Sequence, residues 1–243
     1  MKNRKYIDFL AKLAVDHAHP GGIGLTETLV SRLLIQSGCR VLDVGCGTGG
    51  TAVYLSEKAG ARVTGVDLHP VMVEQAKKRA SASSVSPRIL QGSAEKLPFT
   101  SESFDCILSE SVTAFTNVKR SLPEYYRVLI PGGQLAAIEM TLNYPLDVQN
   151  KQAIKTVYGV DDVRTEEEWI TAWKDAGFSG IRSFRANEFQ NHSKDSMPTY
   201  HLTTKIDDEA IEMWLKHMQT MAQYKDVLSY RIFIMKKPVS AKK

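Results

Sequence analysis

Short apolar segments alternate with helical segments through the middle of the chain, and no other feature of the sequence constrains the fold as strongly. Each apolar segment is short and ends at a turn, which is typical of a buried strand. Strands that alternate with helices are joined by right-handed crossovers and form a parallel sheet covered on both faces. The pattern therefore predicts a doubly wound α/β fold, with strands at Arg40–Val44, Arg62–Asp67, Arg88–Gln91, Phe104–Ser109 and Gln134–Met140.

Glycine and proline mark the ends of the segments between these strands. A helix at Thr51–Ala59 is predicted to stop at Gly60, and Pro70 opens the next helix in its first turn. Residues 131–133 read Pro-Gly-Gly and predict a turn just before the fifth strand.

Both ends of the chain add elements to this alternation. Residues 5–16 and 25–37 have the apolar spacing of two amphipathic helices, and residues 19–22 (His-Pro-Gly-Gly) interrupt them. Beyond the fifth strand we expect a helix at Thr165–Ala176, a strand at Ile181–Ala186, a polar stretch at Asn187–Lys205, a helix at 207–224 and a strand at Tyr230–Met235.

Composition excludes several classes of function. The net charge of +4 is mild and lies partly in the C-terminal lysines, so we expect no nucleic-acid partner. No apolar run approaches the ~18 residues that span a bilayer, and the polar residues Asp8, Lys12 and Asp16 argue against a signal peptide. Three scattered cysteines predict neither a disulfide framework nor a metal site. We therefore predict a cytoplasmic protein without a membrane span.

The turn after the first strand carries the strongest ligand-binding signal. Gly45, Gly47 and Gly49 let the backbone turn sharply and approach a ligand, and the next helix directs its first amides toward the same place. Asp67 closes the second strand, where a carboxylate can accept hydrogen bonds from ribose hydroxyls. Because Gly50 also completes a G-x-G-x-x-G pattern, these residues predict a ribose-bearing cofactor without separating NAD from other nucleosides.

Asp43 favours one of these cofactors. It lies two residues before the first glycine, in a strand predicted to be buried, where a carboxylate requires a partner. S-adenosylmethionine carries an ammonium group that can supply this partner, whereas the pyrophosphate of NAD would add negative charge. The sequence therefore favours S-adenosylmethionine.

Four segments in consistent order resemble one family. VLDVGCGTGG, VTGVDLHPVMVEQAKKRA, QGSAEKLPFTSESFDCILSE and RVLIPGGQL fall within residues 35–140 and resemble the class I S-adenosylmethionine-dependent methyltransferases. The chain is most similar to the subgroup that includes ubiquinone and menaquinone biosynthesis methyltransferases. The resemblance implies a mostly parallel, seven-stranded Rossmann-like sheet with N-terminal helices and a C-terminal helical insertion.

The resemblance also implies site residues. The glycine loop would surround the methionine portion of S-adenosylmethionine, Asp67 would bind the ribose, and Leu68 would lie beside the adenine. Ser93 and Ala94 match the pair that flanks the adenine, although the family often has Asp where this chain has Ser93. The full predicted cofactor-binding set is Asp43, Gly45, Cys46, Gly47, Gly49, Asp67, Leu68, Ser93, Ala94 and Glu110.

The same resemblance suggests how one domain of 243 residues is organised. We expect a cofactor-binding core at about 35–140, an N-terminal helical lid at about 1–34 and substrate-side elements at about 141–228. The predicted activity is methyl transfer to a small molecule. A protein or RNA methyltransferase, a cofactor-binding protein without turnover and a NAD-dependent enzyme remain alternatives.

The acceptor side is weakly specified, because the methyl donor is already activated and a base is needed only for some acceptors. Candidate catalytic residues are His19, Glu110 and Tyr144, and His17 and Tyr158 are further acceptor-side candidates.

The helix at 207–224 carries an apolar stripe. At helical spacing this stripe is more often core than a ligand wall. It could instead cap the substrate site, or pack against a second subunit, so the chain is predicted to be a monomer or a homodimer. The stripe consists of Ile211, Trp214, Leu215, Met218 and Met221.

Overall fold

The computed structural model of the protein describes residues 5–13, 15–16, 19–189, 199–200 and 207–239. The strands, numbered along the chain, are β1 (Val15–Asp16), β2 (Arg40–Val44), β3 (Arg62–Asp67), β4 (Arg88–Gln91), β5 (Phe104–Glu110), β6 (Leu129–Leu142), β7 (Ser179–Phe184), β8 (Thr199–Tyr200) and β9 (Leu228–Lys236). The helices are α1 (Lys5–Leu13), α2 (Gly22–Ser31), α3 (Gly50–Ala59), α4 (Pro70–Ala82), α5 (Val118–Val128), α6 (Val148–Tyr158), α7 (Glu166–Asp175), α8 (Ala186–Phe189) and α9 (Asp208–Gln223). A 3₁₀ turn lies at Thr113–Phe115.

Seven strands form one sheet in the order β4-β3-β2-β5-β6-β9-β7, and β1 pairs with β8 separately. Every pairing in the large sheet is parallel except those of β9, which runs antiparallel to both neighbours. The predicted mostly parallel, doubly wound sheet is confirmed.

The order of the strands determines where a ligand can bind. The chain starts the large sheet at β2, winds outward to β4 and then returns to β5 on the other side of β2. Val44 lies level with Val66 on one side and with Ser109 on the other, so β2, β3 and β5 end at the same edge. Ligands of open α/β sheets bind at such a reversal of strand order.

Two apolar layers cover the sheet, because successive side chains of a strand point to opposite faces. Leu42 and Val44 belong to one layer, which also contains Trp169 and Trp173 of α7, while Val41 belongs to the other. The central strands are buried on both faces, as a parallel sheet requires. Within the described residues, no helix is both long and apolar enough to cross a membrane.

The N-terminal helices are shorter than predicted. α1 ends at Leu13 rather than at residue 16, and α2 spans Gly22–Ser31 rather than 25–37. The earlier end of α2 follows from a competing partner, because the amide of Leu34 donates to the side chain of Gln134 (2.8 Å) instead of continuing the helix. α7 agrees with the predicted helix, including the capping box at Thr165.

The predicted turn at residues 131–133 is wrong, because β6 runs through it. Leu129 lies opposite Phe104 and Gln134 lies opposite Cys106, so four residues of β6 face a single residue of β5. The amide of Gly132, with φ of +80°, donates to the carbonyl of Lys237 (2.8 Å). Proline and glycine are accommodated here as a bulge within the strand.

The interpretation of the α9 stripe as part of the core is also wrong. The five residues of its predicted apolar stripe are between 40% and 57% exposed. The helix instead buries Ala210, Met213 and Thr220, and its inner face packs against α1 and α6. Phe9 of α1 joins Ala210 and Met213 in a small apolar cluster. The helical period was therefore correct while the buried face was not.

Candidate active site

A cavity of about 960 Å³ opens at the shared edge of β2, β3 and β5. The glycine loop and the ends of these strands form one side, and α1, the 3₁₀ turn, the end of α6 and α9 form the other. This volume lies near the upper end of the roughly 300–1,000 Å³ that is usual for ligand pockets.

Two glycines of the loop have different environments. Gly45 has φ of +67°, and a Cβ atom there would lie 2.3 Å from Cγ2 of Val112, so the loop packs directly against the segment after β5. Gly47 has φ of +52°, and no atom lies within 4 Å of the place where its Cβ would be, so it faces open cavity. The loop is anchored by the amides of Gly45 and Cys46, which both donate to the carbonyl of Val66.

Gly49 has a structural role in the loop. It precedes α3 with φ of +82°, and a Cβ atom there would lie 3.0 Å from Ala76 of α4. The cavity lining includes Gly45, Cys46, Gly47 and Gly50 but not Gly49. This glycine allows α3 and α4 to pack closely, and its contact with the cofactor stays a prediction.

Asp67 is held in place at the end of β3. One carboxylate oxygen accepts the amide of Gly47 (2.9 Å) and the other accepts the amide of His69 (2.8 Å). Burial raises the pKa of the Asp67 carboxyl, and these two amides partly offset the increase. A carboxylate has about four acceptor positions, so Asp67 can still accept hydrogen bonds from a ligand.

Asp43 lies at the back of the cavity and is 2% exposed. Its Oδ2 atom has no hydrogen-bond partner within the described part of the chain. The pKa of Asp43 is raised well above its usual value, mainly by burial and to a smaller extent by the nearby carboxylates of Glu110 and Asp67. A buried carboxylate oxygen without a partner fits a cationic ligand group, because ionisation would otherwise be costly here.

Glu110 and His19 belong to one hydrogen-bonded network. The hydroxyls of Thr26 and Thr51 donate to the two oxygens of Glu110, both at 2.8 Å. His19 lies 3.0 Å from the Thr26 hydroxyl through Nε2 and contacts the carbonyl of Pro20 through Nδ1. The network ties the segment before α2 to the end of β5, and both His19 and Glu110 line the cavity. His17 lies outside the described residues.

The predicted adenine-side residues also line the cavity. Leu68 is 46% exposed, and Ser93 and Ala94 follow β4. The hydroxyl of Ser93 accepts the amide of Glu95 (3.1 Å), so it stabilises a local turn.

Helix α1 closes the cavity on this side, through residues that the sequence analysis did not single out. Asp8 contacts Nε2 of His69 (3.2 Å), which links α1 to the segment after β3. Nδ1 of His69 is buried and has no hydrogen-bond partner among the described residues. No local sequence signal identifies Asp8, because it meets His69 only through tertiary packing.

The far end of the cavity is aromatic. The ring of Tyr6 on α1 lies edge-on to Tyr158 (4.9 Å between centroids) and stacks on Phe115 (6.1 Å). The hydroxyl of Tyr158 lies 3.0 Å from Nδ1 of His217 on α9. Tyr144, the other tyrosine predicted for this side, is 51% exposed and does not line the cavity.

The comparisons with known sequences point to one family. Residues 42–137 match the family described as a methyltransferase domain. An uncharacterized methyltransferase of Bacillus subtilis, YodH, is 34% identical over 232 residues, which cover 95% of this chain and 98% of that protein. A demethylmenaquinone methyltransferase of Thermus thermophilus is 39% identical over 102 residues, which cover 41% of this chain and 46% of that protein.

Solved structures share the fold at lower identity. Phosphoethanolamine N-methyltransferase 2 of Haemonchus contortus, in complex with S-adenosylmethionine, superposes with a TM-score of 0.75 at 19% identity, covering 96% of this chain and 56% of that chain. Geranyl diphosphate C-methyltransferase of Streptomyces coelicolor superposes with a TM-score of 0.67 at 17% identity, covering 87% of this chain and 78% of that chain. At these identities the similarity extends to the fold alone.

Proposed function

The chain belongs to the class I S-adenosylmethionine-dependent methyltransferases, and from this premise we propose that it methylates a small organic molecule bound beside the cofactor in the cavity. Family membership decides between the two ribose-bearing cofactors that the glycine motif and Asp67 had left open. The observation that carries the small-molecule proposal is a deep cavity closed by α1 on the side facing the glycine loop.

The residues present fit S-adenosylmethionine. Asp43 offers a buried oxygen without a partner to the ammonium group, and Asp67 offers its remaining acceptor positions to the ribose hydroxyls. Glu110 adds a third carboxylate beside Asp43, which suits a ligand that carries both an ammonium and a sulfonium. Gly47 leaves open space beside the loop for the ligand to approach the backbone. Leu68, Ser93 and Ala94 would surround the adenine, and Cys46 of the glycine loop also lines the cavity.

When bound, S-adenosylmethionine supplies a methyl group that is already activated toward displacement. The protein therefore has to align the two reactants and exclude water, which can contribute a large part of the acceleration. The His19–Glu110 network performs part of this task, because it holds the segment before α2 against the end of β5. Glu110 contributes to this positioning through the hydroxyls of Thr26 and Thr51, which donate to its two oxygens.

A macromolecular acceptor fits this cavity less well. An RNA substrate is held largely by lysine and arginine contacts to its phosphates. Within the described residues, the cavity lining contains neither residue type and contains five carboxylates: Asp8, Asp43, Asp67, Glu95 and Glu110.

Radiolabelled methyl transfer tests the proposal. The protein is incubated with methyl-labelled S-adenosylmethionine and either an ultrafiltrate of cell extract or the retained protein and RNA. We expect label in the small molecules of the ultrafiltrate. Label confined to the retained fraction would reject a small-molecule acceptor.

A matched pair of variants tests the cofactor site. Asp67→Ala is expected to weaken the binding of S-adenosylhomocysteine by about tenfold or more, because charge-assisted hydrogen bonds contribute ~1.5–3 kcal/mol. Glu74→Ala removes the same charge from the exposed face of α4 and should leave the affinity unchanged. Calorimetric titration measures both, and equal affinities would mean that Asp67 does not bind the ribose.

A further inference from the structure

The pair formed by Tyr158 and His217 is the main polar feature of the aromatic end of the cavity. Tyr158 is 2% exposed and closes the C-terminal end of α6, while His217 is half-buried on the inner face of α9. Their contact of 3.0 Å joins two helices that are 59 residues apart in sequence. No other function described above uses this pair.

The direction of this hydrogen bond decides which nitrogen of His217 carries its proton. We take the Tyr158 hydroxyl as the donor to Nδ1 of His217, because it has no other hydrogen-bond partner among the described residues and the reverse direction would leave its buried proton without an acceptor. A neutral imidazole whose Nδ1 accepts a proton donor carries its own proton on Nε2. Burial lowers the pKa of His217, which keeps the ring neutral near pH 7. Nε2 makes no hydrogen bond within the described residues, so its N–H is available to a ligand in the cavity.

Charged partners are missing from this end of the cavity. The described lining contains no lysine or arginine that could bind a phosphate or carboxylate. Its carboxylates are engaged elsewhere: Asp8 contacts His69, Glu95 accepts the amide of Asn117, and the other three surround the cofactor loop. An anionic acceptor would therefore lose its hydration without gaining a cationic partner among the described lining residues, which is costly.

The remaining walls are apolar and adaptable. Tyr6 packs against both Tyr158 and His217 and stacks on Phe115, and Met140 and Met221 also line the cavity. Methionine side chains are flexible and make favourable contacts with aromatic rings, so such walls suit the body of an apolar molecule.

Resting on the proposed function, we propose that this end of the cavity binds an uncharged, mainly apolar acceptor by one oxygen atom, which accepts the Nε2–H of His217. Tyr158 acts as a positioning residue, because it fixes the proton of His217 on Nε2. The two solved relatives named for phosphoethanolamine and geranyl diphosphate carry phosphorylated groups in those names. This chain offers such groups no cation in its described lining.

Four matched probes test this inference on protein saturated with S-adenosylhomocysteine: 4-butylphenol, butylbenzene, 4-butylbenzoate and 4-butylbenzylamine. All four contain a butylphenyl group. 4-Butylphenol adds a hydroxyl, butylbenzene adds no polar group, 4-butylbenzoate adds a negative charge and 4-butylbenzylamine adds a positive charge. We expect 4-butylphenol to bind about threefold to tenfold more tightly than butylbenzene, as one neutral hydrogen bond allows. Both charged probes should bind more weakly than the phenol.

Two variants assign the effect to the pair. His217→Phe should reduce the preference for 4-butylphenol over butylbenzene to less than about twofold, because the Nε2–H is lost. Tyr158→Phe should leave the imidazole present while its ¹⁵N chemical shifts report a mixture of tautomers instead of Nε2–H alone. A purely structural role would not move these shifts.

The outcomes separate this inference from the proposed function. Failure of the wild-type protein to bind S-adenosylhomocysteine would reject the cofactor site itself. With that ligand bound, three results would overturn the inference. They are tighter binding of either charged probe than of 4-butylphenol, no binding of 4-butylphenol, and an unchanged preference of His217→Phe for 4-butylphenol over butylbenzene. Retained binding of S-adenosylhomocysteine by each variant shows that it is folded.

Discussion

The two ends of the cavity are built in different ways. The cofactor end is formed by residues 43–110, where the contributing residues lie at the ends of strands of one continuous βα alternation or just after them. The acceptor end joins Tyr6, Tyr158 and His217, which come from three helices distributed over most of the chain. A local motif can therefore reveal a cofactor, while the acceptor site depends on how distant helices pack.

The two ends also differ in charge. Asp43, Asp67 and Glu110 lie close enough to affect one another at the cofactor end, where a cationic ligand can relieve their repulsion. The acceptor end offers a neutral imidazole and aromatic rings. The difference implies that substitutions at the first end act mainly on cofactor affinity, and substitutions at the second act on the choice of acceptor.

The largest effect is expected for Gly45→Ala, which tests the rigidity of the cofactor end. The new Cβ would lie 2.3 Å from Val112 in a backbone conformation that costs a side chain ~1–2 kcal/mol, and overpacking adds ~1–3 kcal/mol. We expect the free energy of unfolding to fall by roughly the sum of these, and binding of S-adenosylhomocysteine to become undetectable in calorimetry.

A matched glycine controls for the backbone conformation alone. Gly38 has φ of +83°, and no atom lies within 4 Å of the place where its Cβ would be. Gly38→Ala should cost only the ~1–2 kcal/mol of the conformation and should leave the affinity unchanged. If Gly38→Ala weakened binding as strongly as Gly45→Ala, close packing against Val112 would not explain the result.

Asp43→Asn should separate binding from stability. The variant removes a buried carboxylate that lacks a partner on Oδ2, so the ligand-free protein should be no less stable in urea unfolding. The affinity for S-adenosylmethionine should fall by about tenfold or more, because a charge-assisted hydrogen bond is lost. Calorimetry measures the affinity, and a loss of stability with unchanged affinity would assign Asp43 to the fold instead of the ligand.

The cofactor end could be predicted from sequence because its residues follow a spacing that strand geometry imposes. Strands of a parallel sheet end at one edge, so Asp43, Asp67 and Glu110 meet although they are far apart in sequence. Gly49 belongs to the same motif, and the place where its Cβ would be lies against Ala76 of α4. A spacing pattern identifies a turn, while the packing around each glycine decides which one faces the ligand.

The acceptor end could not be predicted, because the face that a helix buries depends on its neighbours. The largest apolar residues of α9 lie on its exposed face, while smaller residues such as Ala210 pack inward against α1. His217 shares that inner face and reaches the cavity only through this orientation. Nothing in the sequence near residue 217 indicates that Tyr158 lies beside it.

The free energy of unfolding should also depend on pH through Glu139, which holds the 3₁₀ turn at the acceptor end of the cavity. Its fully buried carboxylate accepts the amides of Thr113 and Ala114, in the turn that carries Phe115. Burial raises the pKa of Glu139 to about 7. The folded state therefore holds a proton that the unfolded state releases near pH 4.5, so this stabilising contribution is complete below pH 4.5 and is lost as pH rises through 7.

Urea unfolding of the ligand-free protein measures this dependence. The free energy of unfolding should be lower at pH 8 than at pH 5 by ~2 kcal/mol from Glu139 alone. Glu139→Gln should flatten the dependence without abolishing it, because the raised pKa values of Asp43 and Asp67 act in the same direction. A protein that became more stable between pH 5 and pH 8 would contradict the assignment.

The smallest effect is expected for Tyr144→Phe, because Tyr144 and Tyr158 are both predicted for the acceptor side and only Tyr158 lines the cavity. Tyr144 and Tyr158 both follow β6 in the sequence. Tyr144 is 51% exposed outside the cavity, whereas Tyr158 is buried against His217. Tyr144→Phe should change the binding of 4-butylphenol by less than about twofold, as surface substitutions usually do. Tyr158→Phe should weaken it by more, because the proton on Nε2 of His217 is no longer fixed. Equal effects of the two variants would mean that the acceptor does not reach the aromatic end, and the contrast between the two ends of the cavity would then rest on charge alone.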